Sequence, residues 1–109
     1  MTDNALRDLY NVVCDRKINR LENSYTCYLF EQGLDKILKK CGEECAEVII
    51  AAKGDSREDL KNEICDLLYH LTVLMAERCV AFDEVEAVLT ERGGKIGNLK
   101  QFRETDRET

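Results

Sequence analysis

Five acidic residues stand at spacings that could do chemistry: Glu43, Glu44 and Glu47 in one apolar-patterned segment, and Glu63 and Asp66 in the next. Side chains three apart on a helix project from the same side, so Glu44 with Glu47, and Glu63 with Asp66, each form a pair beside an apolar stripe. The link from Gly54 to Arg57 is short, which predicts antiparallel packing of the two segments. Glu47 precedes Lys53, at the end of its helix, by about 9 Å of axial rise, and Glu63 follows Glu58 by about 7.5 Å. The two pairs therefore fall at similar height, and four carboxylates can converge. Left uncompensated they would repel one another, and burial would add roughly several kcal/mol. Carboxylate oxygens suit hard cations, which makes Mg2+ the natural counter-charge and Mn2+ a substitute. A cation held this way can bridge phosphate oxygens, activate water and polarise phosphorus. Taken singly, each acid fits an ordinary solvated helix position; the repeated spacing on adjacent segments is what points to metal. A di-iron carboxylate bundle would require Glu-x-x-His pairs, and position 66 is Asp.

The elements that must position these groups read as helices throughout. Leu6, Leu9, Tyr10, Val13, Ile18 and Leu21 recur at helical spacing over residues 3–22. Ser24 can cap a short helix from Tyr25 to Glu31, after which Gly33 breaks or bends the chain. A long helix from Leu34 to Lys53 places Leu34, Leu38, Cys41, Cys45, Val48 and Ala52 on one stripe, and Gly54 sits at its C-terminal end. Ser56 with Asp59 opens the next helix, which runs to about Arg78. Its middle (Leu67, Leu68, Leu71, Val73, Leu74, Met75) is apolar nearly all round and should be the most buried part of the molecule. A last helix spans about Phe82 to Arg92 and stops at Gly93-Gly94.

The expected fold is all-α, with four to five helices in an antiparallel bundle. Residues 1–94 form a single domain, and 95–109 form a polar, mobile tail in which Ile96, Leu99 and Phe102 could dock on a partner. No Pro, six Gly and few aromatics fit this better than a β-sandwich. A chain of 109 residues buries a modest core, so a homodimer is expected to complete the bundle.

A net charge of -6 argues against direct binding of DNA or RNA, although cations can mediate contact with phosphates. The six cysteines read as reduced thiols of a cytoplasmic protein: there is no secretory pattern at the start, no CxxC pair, and a single His makes zinc improbable. No apolar run reaches the length of a membrane span, so no membrane partner is expected.

The run SYTCYLFEQGLDKILKKCGEECAEVIIAAKG, followed by EDLKNEICDLLYHLTVLMAER, resembles the phosphoribosyl-ATP pyrophosphatase family of histidine biosynthesis over about residues 24–79. Ser24-Tyr25-Thr26, the stretch from Lys39 to Glu44 with Glu47, and Glu63-x-x-Asp66 leading into Leu67-Leu68-Tyr69-His70 carry the likeness. The ExxE…ExxD pattern alone is shared by the wider MazG-like superfamily of all-α nucleotide pyrophosphohydrolases.

The resemblance implies Mg2+-dependent hydrolysis of a small-molecule nucleotide, 1-(5-phosphoribosyl)-ATP, to 1-(5-phosphoribosyl)-AMP and pyrophosphate. It also implies a homodimer, with Glu44, Glu47, Glu63 and Asp66 as metal ligands. Glu43 matches a family acidic position and is the candidate general base. Cys41 departs from the aliphatic residue more usual there, and the tail matches nothing assignable. The chain is too short to include the cyclohydrolase of the next step, so a separate one is expected.

Lys40, one turn before Glu44, and Lys53 are candidates to contact substrate phosphate, against the plainer reading of solvated lysines giving i,i+4 support. His70, one turn beyond Asp66, reads first as a hydrogen-bonded core or interface residue and second as a supporting partner of the metal site. Tyr25 and Tyr69 read as packing residues. The alternatives to this function are a MazG-like pyrophosphohydrolase of noncanonical nucleoside triphosphates and a non-catalytic helical dimer.

Overall fold

The computed structural model describes residues 4–94 and the isolated Thr105, and among these it holds five α-helices and no strand. They are α1 (Ala5–Ile18), α2 (Tyr25–Gln32), α3 (Leu34–Lys53), α4 (Arg57–Glu77) and α5 (Phe82–Gly93). The expectations for the tail at 95–109 lie outside the described residues.

Side-chain caps set several of the starts. Asn4 accepts from the Arg7 N–H, Ser24 from the Cys27 N–H and Ser56 from the Asp59 N–H, each at 3.1 Å. Each hydroxyl or amide oxygen takes an N–H that has no partner inside its helix. α1 is shorter than its apolar spacing predicts. It ends at Ile18, where the Asn19 N–H bonds back to the Asp15 carbonyl at 2.7 Å, and Asn23 at φ 65 turns the chain into α2. Ile18 and Leu21, expected on the buried stripe, are exposed.

α3 and α4 form a hairpin with the most extensive contact in the fold; α2 packs on α3 and α1 crosses α4. The core is small: Val13 of α1, Leu29 of α2, Ile37 and Cys41 of α3, and Val73 and Ala76 of α4, flanked by Leu9, Cys14, Phe30, Tyr69 and Leu74.

The buried face of α3 is rotated from the expected stripe. Ile37 and Cys41 are buried and Leu34, Val48 and Ala51 half-buried, whereas Leu38 and Cys45 face outward. α3 carries two adjacent apolar stripes, and α2 and α4 cover only one of them. The middle of α4 is likewise less enclosed than expected: Val73 is buried, but Leu68 and Leu71 are each 38% exposed. α1 and α3 leave a third side of α4 open. His70 and Thr72 are buried instead, and each donates to a carbonyl one turn back. All six cysteines are free thiols, and Cys45, Cys65 and Cys79 are exposed.

α5 is held largely at its N-terminal end. Arg7 pairs with Asp83 and Glu86, Asn4 donates to Glu86 at 3.1 Å, and the Tyr10 hydroxyl donates to the Val80 carbonyl at 3.2 Å.

At the end of α4 the Val80 N–H bonds to the Met75 carbonyl at 2.8 Å and the Cys79 N–H to that of Ala76 at 3.3 Å. Cys79 therefore occupies the left-handed position of a Schellman turn, at φ 58, where glycine is favoured. Cys79→Gly should raise the stability of the chain by about 0.5–1 kcal/mol, because the Cβ clash in the folded state outweighs the added freedom of the unfolded chain. A denaturation midpoint equal to or below that of the wild type would contradict this.

Candidate active site

The site is built on α3 and α4, the two helices whose relative height is best fixed. Glu44 points inward, its side chain only 13% exposed, because it lies on the buried side of α3 one turn from Cys41. Glu63 and Asp66 come from the first half of α4. Glu44, Glu63 and Asp66 each bring a carboxylate oxygen within 4.8 Å of the others. Together with Lys40, Glu43, Ala46 and Glu47 they line a cleft of about 430 Å³. A second hollow, of about 330 Å³, shares Glu47 and Glu63 and runs on toward Ser56 and Asp59 at the α3–α4 turn.

Of the acids picked out by spacing, three meet closely and Glu47 lines the same cleft. Glu43, adjacent to Glu44 but 49% exposed, sits at the rim with its carboxylate 3.4 Å from the Lys40 ammonium. Lys40 also stands 4.0 Å from Glu44. Burial works against the charge on Lys40, but the hydrogen bond to Glu43 and the electrostatics of Tyr25, Glu43 and Glu44 outweigh it, and its pKa stands above the usual 10.5. Lys53 is exposed in the last turn of α3 and does not line the cleft.

Glu63 registers the crowding. Desolvation, then the charges of Asp66, Glu47 and Glu44, and a hydrogen bond with Glu44 push its pKa above 4.5. The unfolded chain would ionise this carboxyl in the ordinary range. The folded, metal-free chain thus binds more protons there, so this group opposes folding as pH rises past 4.5 and ceases to do so as pH falls. A divalent cation among the oxygens would relieve the same repulsion. An all-carboxylate donor set, with no thiol or imidazole among it, suits Mg2+ or Mn2+.

Behind the acids lies a polar cluster that sequence reading assigned to packing. His70 is buried, and its Nδ1–H donates to the main-chain carbonyl of Asp66 at 2.7 Å. That carbonyl can only accept, so Nδ1 carries the proton, and Nε2 accepts from the Tyr25 hydroxyl at 3.2 Å. The Cys41 thiol donates to the His70 carbonyl at 3.5 Å, and the hydroxyls of Thr26 and Tyr69 are hydrogen-bonded to each other. His70 is thus the hydrogen-bonded core histidine its position suggested. Tyr25, marked in the sequence by the Ser24-Tyr25-Thr26 likeness and read as a packing residue, is instead hydrogen-bonded to His70.

A family model for phosphoribosyl-ATP pyrophosphohydrolase matches residues 6–93. The chain belongs to that family. Among similar proteins, the phosphoribosyl-ATP pyrophosphatase of Clostridium acetobutylicum is 56% identical over 98 residues, covering 90% of this chain and 89% of the relative. That of Clostridium novyi is 52% identical over 99 residues, 91% and 90% of the two chains. That of Bacillus thuringiensis is 47% identical over 104 residues, 95% and 97%. In this phosphoribosyl-ATP pyrophosphohydrolase family member, the matched span covers α2–α4 whole, and with them every residue of the cleft.

Proposed function

We propose that the chain hydrolyses 1-(5-phosphoribosyl)-ATP to 1-(5-phosphoribosyl)-AMP and pyrophosphate, the second step of histidine biosynthesis. The observation that carries this reading is the meeting of Glu44, Glu63 and Asp66 beside Lys40 in a member of this family. Glu44, Glu47, Glu63 and Asp66 would hold Mg2+, with Mn2+ as a substitute. Bound there, the cation would supply charge neutralisation of the phosphates and a lowered pKa for water. Water attacks the α-phosphorus in line, the bond from that phosphorus to the oxygen bridging to the β-phosphorus breaks, and pyrophosphate departs. Glu43 accepts the proton from water. Its present partner, Lys40, exchanges the carboxylate for a phosphate oxygen when substrate enters, which frees Glu43 for that task. Positioning and charge stabilisation, rather than covalent chemistry, do most of the work.

Residues 1–94 serve as one catalytic domain, acting in the cytoplasm. A homodimer is supported by the exposed apolar side chains on three helices: Ile49 and Ile50 of α3, Ile64, Leu68 and Leu71 of α4, and Val88 and Leu89 of α5. Exposed apolar area of this extent favours a second chain over water.

The test is pyrophosphate release from phosphoribosyl-ATP with and without Mg2+, beside a panel of noncanonical nucleoside triphosphates. Mg2+-dependent turnover of phosphoribosyl-ATP supports the proposal. Turnover of the panel alone would transfer the chain to the MazG-like alternative. Turnover of neither, with stability indifferent to Mg2+, would leave the non-catalytic dimer.

A further inference from the structure

His70 is the point at which three helices meet through polar contacts. From α2 the Tyr25 hydroxyl donates to its Nε2 at 3.2 Å; from α3 the Cys41 thiol donates to its carbonyl at 3.5 Å; within α4 its Nδ1–H donates to the Asp66 carbonyl at 2.7 Å. Two of those ends lead to the carboxylate cluster. Asp66 is a member, and Cys41 lies one turn before Glu44 on α3. His70 is 5% exposed, so its nitrogens have little water to fall back on.

We infer that His70 and Tyr25 are positioning residues for the carboxylate site: they tie the turn of α4 bearing Asp66 to α2, which in turn packs on α3, the helix bearing Glu44. The Asp66 carbonyl already accepts the ladder N–H of α4, and the imidazole adds a second donor that pins the local phase of the helix. Rotation of that turn would carry the Asp66 carboxylate away from Glu44 and Glu63. Tyr25 holds the imidazole in turn. Without its hydroxyl, Nε2 is a buried acceptor with no donor, and the ring gains reason to rotate or change tautomer. The tyrosine ring itself is well supported, with its centroid 6.0 Å from that of Tyr28 and 6.2 Å from that of Tyr69, so a phenylalanine keeps the packing.

This inference rests on the proposed metal-dependent reading and deepens it. Its test is the affinity of the full chain for Mn2+ in the absence of nucleotide, read by the electron paramagnetic resonance of free ion, in wild type, Tyr25→Phe, His70→Asn and His70→Leu. Asn can place an N–H close to where Nδ1 stands, whereas Leu fills the space but offers no donor. The expected order is wild type, His70→Asn within about threefold, Tyr25→Phe about threefold or more weaker, and His70→Leu roughly tenfold or more weaker. A packing role alone gives the reverse order at position 70, since Leu suits a buried site better than Asn, and leaves Tyr25→Phe unchanged. Should His70→Leu fail to fold by circular dichroism, Tyr25→Phe decides: an affinity equal to wild type overturns the inference. A wild-type chain that binds no Mn2+ overturns the metal site itself, which separates that failure from this one.

Discussion

Asp66→Asn is expected to reduce turnover of phosphoribosyl-ATP by about a thousandfold, the kinetic equivalent of losing several kcal/mol of charge stabilisation at phosphorus. The amide is the same size as the carboxylate, and residue 66 is exposed on α4, so the helix has no reason to unfold. What changes is charge. One of three oxygens now gathered within 4.8 Å loses its negative charge, and with it most of its hold on a hard cation. The same loss relieves Glu63, on which Asp66 exerts the largest of the neighbouring charge effects. The metal-free variant should therefore melt no lower than the metal-free wild type near neutral pH, while the gain in melting temperature on adding Mg2+ should shrink. Activity falling while metal-free stability holds or rises is a combination that damage to the fold does not produce. Glu47→Gln is expected to abolish pyrophosphate release as well. Lys53→Ala, outside the cleft, serves as the control. Near-wild-type turnover in either acidic variant would sink the assigned site.

The carboxylates were legible in the sequence for a geometric reason. Helical rise is nearly invariant, so positions counted from a short turn bring both acidic pairs to one cleft, although counting sets Glu47 level with Glu63 and it is Glu44 that gathers with Glu63 and Asp66 within 4.8 Å. The capping residues Ser24 and Ser56 were legible because each offers a local hydrogen bond within three residues. Rotation about a helix axis was not. α3 has Ile37 beside Leu38 and Val48 beside Ile49, so two stripes satisfy the same period, and only the placement of α2 decides that Ile37 turns inward and Leu38 stays 46% exposed. The burial of His70 and Thr72 was hidden for a related reason. Each donates to a carbonyl of its own helix, which helps make both tolerable in a core where composition alone would place Leu68 or Leu71. The partner of His70 on α2 is 45 positions away, and no local pattern encodes it.

The same rotation turns Ile37 into the core beneath the helix that carries Glu44. It is fully buried and belongs to the cluster that joins Leu29 of α2 and Val73 of α4, two turns before Glu44 on α3. Ile37→Ala should destabilise the chain by about 3 kcal/mol, from lost transfer energy together with a cavity that the surrounding helices cannot close. That is a large part of the roughly 5–15 kcal/mol available to a domain of this size, and amounts to a fall in melting temperature of about 12–24 °C. Ile49→Ala removes the same atoms from a position 65% exposed within one chain, where the cost should stay below about 1 kcal/mol. The comparison also bears on assembly. If two chains pack through the open side of α3, Ile49→Ala will cost more than its exposure in a single chain allows, and the extra cost will fade on dilution as wild type and variant both dissociate. Ile37→Ala should retain its penalty at any concentration, since Ile37 already has its neighbours within one chain. A melting temperature for Ile37→Ala within a few degrees of wild type would mean that the cluster of Leu29, Ile37 and Val73 is not what holds α2, α3 and α4 together.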